Sequence, residues 1–140
     1  MGRRILVPVD GSDESKAALE YALEEYPGES IHVVHALNPL EEVYISEPGT
    51  WDETLIERQR DRARALLDET EGLATDRDAS ITTTLVTGSP AREILEYAEG
   101  NDVDHLVIGS RGRSGVSRVL LGSVAETVVR RASVPVTVVR

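Results

Sequence analysis

Asp104-His105-Leu106-Val107-Ile108-Gly109-Ser110-Arg111-Gly112, then nine residues, then Gly122-Ser123, is the stretch that decides how this chain folds. A short continuous apolar run bounded by glycine signals a strand buried on both faces, as in a parallel sheet. The run passes into a glycine-bearing loop, and the loop into a helical pattern whose core is Val124 to Arg131. Such a junction points several backbone N–H groups and the positive end of a helix dipole at one small volume. Phosphate is the usual occupant of that volume, so the spacing predicts a nucleotide site.

The same alternation extends outward in both directions. Strands are predicted at Arg4–Val9, Ser30–Leu37, Ile81–Val86, Asp104–Ile108 and Val136–Val139. Ser12 is a good N-cap for a helix to about Tyr26, with Ala17, Ala18, Tyr21, Ala22 and Leu23 at helical spacing, and Pro27-Gly28 stops it. A long charged helix is predicted over about Asp52 to Ala74, with Leu55, Ala63, Leu66 and Leu67 inward. Ser89-Pro90 opens another, to about Glu99. Alternating strands and helices imply an α/β fold: one doubly wound, five-stranded parallel sheet with helices on both faces. Right-handed crossovers and one reversal give the strand order 3-2-1-4-5. The first and fourth strands then lie side by side at the switch point, where ligands of such sheets bind. Residues 38–50, with Pro39, Pro48 and Gly49, read either as a lid or as a long connection.

With 140 residues the chain is expected to be one domain, residues 1–140. It offers no apolar run long enough to span a membrane and no signal peptide at its start, and it has no cysteine. A cytoplasmic protein without disulfides or thiolate metal sites is the expectation. Acids number 25 against 14 arginines and one lysine, Lys16, for a net charge of −10. The charge is unevenly placed. Residues 1–104 carry 24 acids and 9 bases, net −15; residues 105–140 carry Glu126 against six arginines, net +5. The basic end coincides with the glycine loop, as suits an anion site, while the acidic body argues against nucleic acid as a partner. Strong acidity with almost no lysine also suits a salt-rich cytosol, where a Debye length of about 3 Å at 1 M screens crowded carboxylates.

Two places hold the candidate chemistry. Asp10, at the carboxyl end of the first strand in Val9-Asp10-Gly11-Ser12, reads either as an acceptor for ribose or base groups or as an acid serving the following helix N-terminus. In the loop from Gly109 to Ser123, glycines either mark tight turns or let phosphate approach the backbone. Ser123 offers a hydroxyl and an amide at the helix start, and Arg111 and Arg113 are placed either to neutralise phosphate or simply to be solvated. There is no Walker A loop and no GxGxxG after the first strand. His32, His35 and His105 lack companions at metal-ligand spacing; His32 and His35 face opposite sides of the second strand, and His35 reads as a wall or packing residue. Glu126, the only acid after residue 104, is expected more than a turn into the last helix region.

At these residues the chain resembles the universal stress protein family along essentially its whole length. The resemblance rests on Ile5-Leu6-Val7-Pro8-Val9-Asp10-Gly11-Ser12, Val33-Val34-His35-Ala36, Val86-x-Gly88-x-Pro90, Val107-Ile108-Gly109-Ser110-Arg111-Gly112, Gly122-Ser123-Val124-Ala125 and Ser133-Val134-Pro135-Val136. The glycine spacing is that of the family's ATP-binding branch. The resemblance implies adenine and ribose contacts from Pro8, Val9, Asp10 and Ala36, where a larger aliphatic residue is common at the last position. It implies polyphosphate contacts from Gly109, Arg111, Gly112, Gly122, Ser123 and Val124, largely through backbone amides. Ser110, Arg113, Ser114 and Gly115 are counted with that loop. ATP is the implied cofactor, accompanied by Mg2+, and a homodimer through Val136–Arg140 the implied assembly. Val136-Thr137-Val138-Val139 agrees independently, since an apolar uncharged edge strand should not be left bare.

The expected function is that of a nucleotide-responsive stress or regulatory switch. Two rivals follow from the same residues. One is a slow ATPase, or an autophosphorylating protein using Ser110, Ser114 or Ser123; it ranks lower because no general base is evident beside the phosphates. The other is a dimerisation module with no nucleotide.

Overall fold

The computed structural model describes residues 2–38, 53–111 and 121–140. Its elements run β1 (Arg4–Pro8), α1 (Asp13–Glu25), β2 (Ser30–Leu37), α2 (Glu53–Asp76), β3 (Ile81–Thr87), α3 (Pro90–Gly100), β4 (His105–Gly109), α4 (Ser123–Arg131) and β5 (Val136–Val139). The five strands form one all-parallel sheet in the order β3-β2-β1-β4-β5, as the sequence predicts.

Strand alternation sorts the core into two halves. Ile5, Val7, Ile31, Val33 and Val107 pack with Ala18, Leu19, Ala22 and Leu23 of α1 and Leu67 and Ala74 of α2. Leu6, Val34, Leu106 and Ile108 pack with Ile94 and Ala98 of α3 and Ala125 and Val128 of α4. Seven of the nine largest fully buried side chains stand on β1, β2 and β4. Burial of each Val, Leu or Ile contributes about 1.5–3 kcal/mol, so stability is concentrated in the three central strands. The edge strands β3 and β5 contain no fully buried residue.

Proline at the end of a central strand is unusual, because it removes a ladder donor. Its tolerance here follows from the register. The β1–β2 register runs from Arg4↔Ser30 to Pro8↔Val34, whereas β1 and β4 pair only at Ile5↔His105 and Leu6↔Leu106. The Val9 amide donates to the Val34 carbonyl at 2.9 Å. Amides alternate sides along a strand, so the Pro8 nitrogen faces β4, beyond the last β1–β4 pair. Pro8 lies beyond the last β1–β4 pair and so interrupts neither ladder, and the carboxyl ends of β1 and β4 stand at the switch point of the sheet.

Candidate functional site

The carboxyl ends of β1, β2 and β4, with the helices that follow, build the site. After β1, the Asp10 Oδ1 accepts from the Ser12 amide at 2.9 Å, and the Ser15 hydroxyl accepts from the Asp10 amide at 3.3 Å. The Ser12 hydroxyl caps α1 by accepting from the Ser15 amide at 3.1 Å, and Asp13 and Glu14 occupy the first turn. Both readings of Asp10 thus have a basis: it shapes the entry to α1, and it remains half-buried on a cleft.

That cleft has a volume of about 200 Å³ and lies between α2 and the ends of β1 and β2. Asp10, Gly11, His35, Ala36, Leu37 and Asn38 form one side; Gln59, Arg62, Ala63 and Leu66 of α2 form the other. His35 is buried, and its Nδ1 lies 2.7 Å from the Val9 carbonyl. A carbonyl can only accept, so Nδ1 carries the proton and the ring locks β2 to the chain leaving β1. His35 is the wall residue its sequence position suggests. Pro8 and Val9 are buried and set the position of Asp10, while Ala36 lines the cleft directly.

Around β4 the geometry is tighter. A Cβ on Gly109 would stand 2.7 Å from the Glu14 carbonyl carbon and 2.9 Å from the Ser15 nitrogen. The glycine is what lets the first turn of α1 lie against the end of β4. Arg111 pairs with Glu14 at 3.1 Å, half-buried, which tethers the loop's first arginine to α1. Ser110 is buried, and its backbone holds two elements: its amide donates to the Val139 carbonyl and its carbonyl accepts from the Gly122 amide, each at 2.7 Å. The loop's two ends therefore meet at β4. Gly112, Arg113, Ser114 and Gly115 lie outside the described residues, as does the segment 38–50 apart from Asn38.

Beyond Gly122, α4 begins without a side-chain cap. Helix geometry leaves the amides of Ser123, Val124 and Ala125 without an intrahelical acceptor. By contrast α1 is capped by its own hydroxyl and carries two acids in its first turn, and α3 opens on Pro90 with Glu93 in its first turn. Glu126 is not more than a turn into α4 but within its first turn, because the helix begins at Ser123. Its carboxylate accepts from Arg130, one turn further on, and so is drawn away from the helix start. Of the three helix starts, that of α4 alone combines no side-chain cap with a full set of first-turn amides, since α3, also without a side-chain cap, opens on Pro90.

The other two histidines stand elsewhere. His32 and His105 are register partners of Leu6 and Ile5, toward the amino ends of the strands. Burial, and then the nearby Arg4 and Arg3 respectively, lower their pKa values below 6.5. Among the described residues no cluster of three or more His, Asp or Glu could hold a metal ion. No described helix is long and apolar enough to cross a membrane.

Sequence reasoning missed two participants. Glu14 was visible only as a first-turn acid, its partner being 97 residues away. Gln59 is 3 % exposed, and its Nε2 has no hydrogen-bond partner among the described residues. A buried donor left unmatched costs about 1–3 kcal/mol. The available signal was a glutamine at an inward position, four residues before Ala63.

The universal stress protein family model matches residues 1–140. The chain belongs to this family. The universal stress protein MJ0531 of Methanocaldococcus jannaschii is 33 % identical over 99 % of this chain and 82 % of its own length. A Thermus aquaticus universal stress protein is 36 % identical over the whole of both chains. Among solved structures, protein MJ0577 superposes with a TM-score of 0.83 at 27 % identity, covering 99 % of this chain and 96 % of its own. A universal stress protein in complex with cAMP gives a TM-score of 0.73 at 25 % identity, over 99 % and 97 % of the two chains. The Archaeoglobus fulgidus universal stress protein in complex with dAMP gives 0.69 at 25 % identity, over 100 % and 98 %.

Proposed function

We propose that this universal stress protein binds ATP across the crevice between β1 and β4 and acts as a homodimeric, nucleotide-responsive regulatory protein in the cytoplasm. The observation that carries the reading is the start of α4 without a side-chain cap, joined to the end of β4 through Ser110 and Gly122, with β1 and β4 side by side at the switch point. Phosphates fit the amides of Ser123 and Val124, with Gly109, Arg111 and the loop beyond it. The nucleoside fits the cleft of Asp10 and Ala36. At about 200 Å³ that cleft is smaller than the ~300–1,000 Å³ of pockets that enclose a whole drug-sized ligand, so it suits the nucleoside end alone. The cAMP and dAMP complexes of two relatives support an adenine nucleotide. In this reading Mg2+ arrives with the triphosphate, whose oxygens supply hard ligands.

Equilibrium binding of ATP, ADP, AMP and GTP, with and without magnesium and in both dilute and molar potassium chloride, tests it. Adenine nucleotides should bind and GTP should bind more weakly; absence of all binding overturns the reading in favour of an empty dimerisation module. Single-turnover assays with labelled ATP separate switch from enzyme. Glu126, in the first turn of α4, is engaged by Arg130, and Asp10 by the Ser12 amide, which argues against either serving as a base. ATP should persist far longer than at a typical enzyme rate of about 10 per second. Fast hydrolysis would promote the ATPase.

A further inference from the structure

The inward stripe of α2 contains Gln59, Ala63, Leu67, Thr70 and Ala74, all buried. Such spacing calls for apolar residues. Thr70 meets its own need by donating to the Leu67 carbonyl at 2.6 Å. Gln59 does not: its Nε2 is enclosed and unmatched among the described residues, and the side chain lines the cleft that holds Asp10 and Ala36. A leucine would serve the packing without that penalty. A local rule broken with no compensation inside the fold is the mark of a functional position.

The cleft's chemistry says what would match the amide. Ala36, Ala63 and Leu66 give apolar walls suited to a flat ring, and the Asp10 carboxylate disfavours an anion while accepting from hydroxyl or amine groups. A carboxamide presents one donor and one acceptor side by side, which complements an adenine ring nitrogen beside its exocyclic amine. Adenine N7 beside the exocyclic amine is the edge that discriminates: guanine keeps the N7 acceptor and sets a carbonyl oxygen in place of the amine, so the glutamine's own oxygen is left unmatched whichever way the amide turns.

We infer that Gln59 is a specificity-determining residue that reads the base, donating through Nε2 to an adenine ring nitrogen and accepting from the exocyclic amine. The inference rests on the nucleotide reading above and adds to it the group that selects adenine.

Binding of AMP and GMP to the unaltered chain, Gln59→Leu and Gln59→Met tests it, alongside the thermal midpoint of each protein without nucleotide. Gln59→Leu should bind AMP at least about tenfold more weakly, both hydrogen bonds being lost, and GMP within about twofold of the unaltered chain. Its midpoint should not fall, since no partner is lost inside the fold. AMP affinity unchanged in a folded variant, or AMP and GMP weakened alike, would overturn the role of Gln59 and leave the nucleotide reading standing. No binding of either nucleotide by the unaltered chain would overturn both. If neither variant folds, purine riboside monophosphate, which lacks the exocyclic amine, decides on the unaltered chain. It should bind about tenfold more weakly than AMP, and equal affinity overturns the assignment.

Discussion

Single residues at the candidate site do structural work that the sequence alone did not show. Gly109 is the clearest case. The sequence offered phosphate approach or a tight turn, and the structure gives a third reason for the glycine, the first turn of α1 lying where a side chain would be. Gly109→Ala must displace backbone rather than a flexible side chain, so we expect a loss of about 1–3 kcal/mol in stability. Urea unfolding measures it; a change within error would mean that α1 moves aside freely. Asp10 accepts from the Ser12 amide through Oδ1 and also lines the cleft. If it meets the nucleoside, Asp10→Ala weakens AMP and ATP equally, by about tenfold for one bond. Calorimetric titration of both nucleotides checks this, and a loss confined to ATP would place Asp10 on magnesium instead.

At the scale of elements, the contrast between α1 and α4 carries the argument. Both begin at the carboxyl edge of the sheet, yet α1 meets its own needs with Ser12, Asp13 and Glu14, while α4 opens on Gly122 with no side chain to cap it. Gly122 has φ −69° and ψ 164°, a conformation that any residue adopts. Aspartate there would cap α4 and gain a few tenths of a kcal/mol, since the acidic and hydroxyl caps only slightly outrank glycine. Its charge would also occupy the anion position. Gly122→Asp should therefore hold or raise the melting temperature, weaken ATP by about tenfold or more, and leave adenosine nearly unchanged. Equal loss for ATP and adenosine would remove the phosphates from α4.

Across the whole molecule, the amino ends of the strands and the β5 edge carry predictions of their own. His32 contacts Ser30 and Tyr97, and His105 contacts Thr137 and packs on Tyr26, with Arg4 and Arg3 nearby. The folded chain resists protonating both, whereas the unfolded chain takes up protons at the ordinary value of 6.5. Stability contributed by these neutral histidines is complete above that pH and is lost as pH falls through it. Urea midpoints of the unaltered chain should drop more steeply below about pH 6.5 than those of a His32→Asn, His105→Asn variant; parallel profiles would remove the histidines as the cause. On the sheet edge, the carbonyls of Pro135 and Val139 accept from β4, so the amide of Val138 faces outward. Val138→Pro removes that outward donor while sparing the β4–β5 ladder. Under the proposed β5 dimer it should give folded monomers by light scattering, and a surviving dimer would move the interface elsewhere.

The strand order and two-faced core were legible in the sequence, because local period and glycine or proline punctuation carry them. Ile5-Leu6-Val7 reads as a strand buried on both sides, and Ser12 as the cap of a helix that Pro27-Gly28 stops, and both readings hold in the structure. That Asp10 at the end of β1 and Gly109 at the end of β4 stand at one switch point followed from that order and right-handed crossovers; Ala36 joined Asp10 only through the family resemblance. Contacts between segments far apart in the chain were not legible. The partner of Arg111 is Glu14, the reason for Gly109 is the backbone of α1, and the enclosure of Gln59 depends on α2 folding back over β2. Periodicity records which face of an element is buried, but not what meets it there; only tertiary packing decides which polar atoms are left for a ligand.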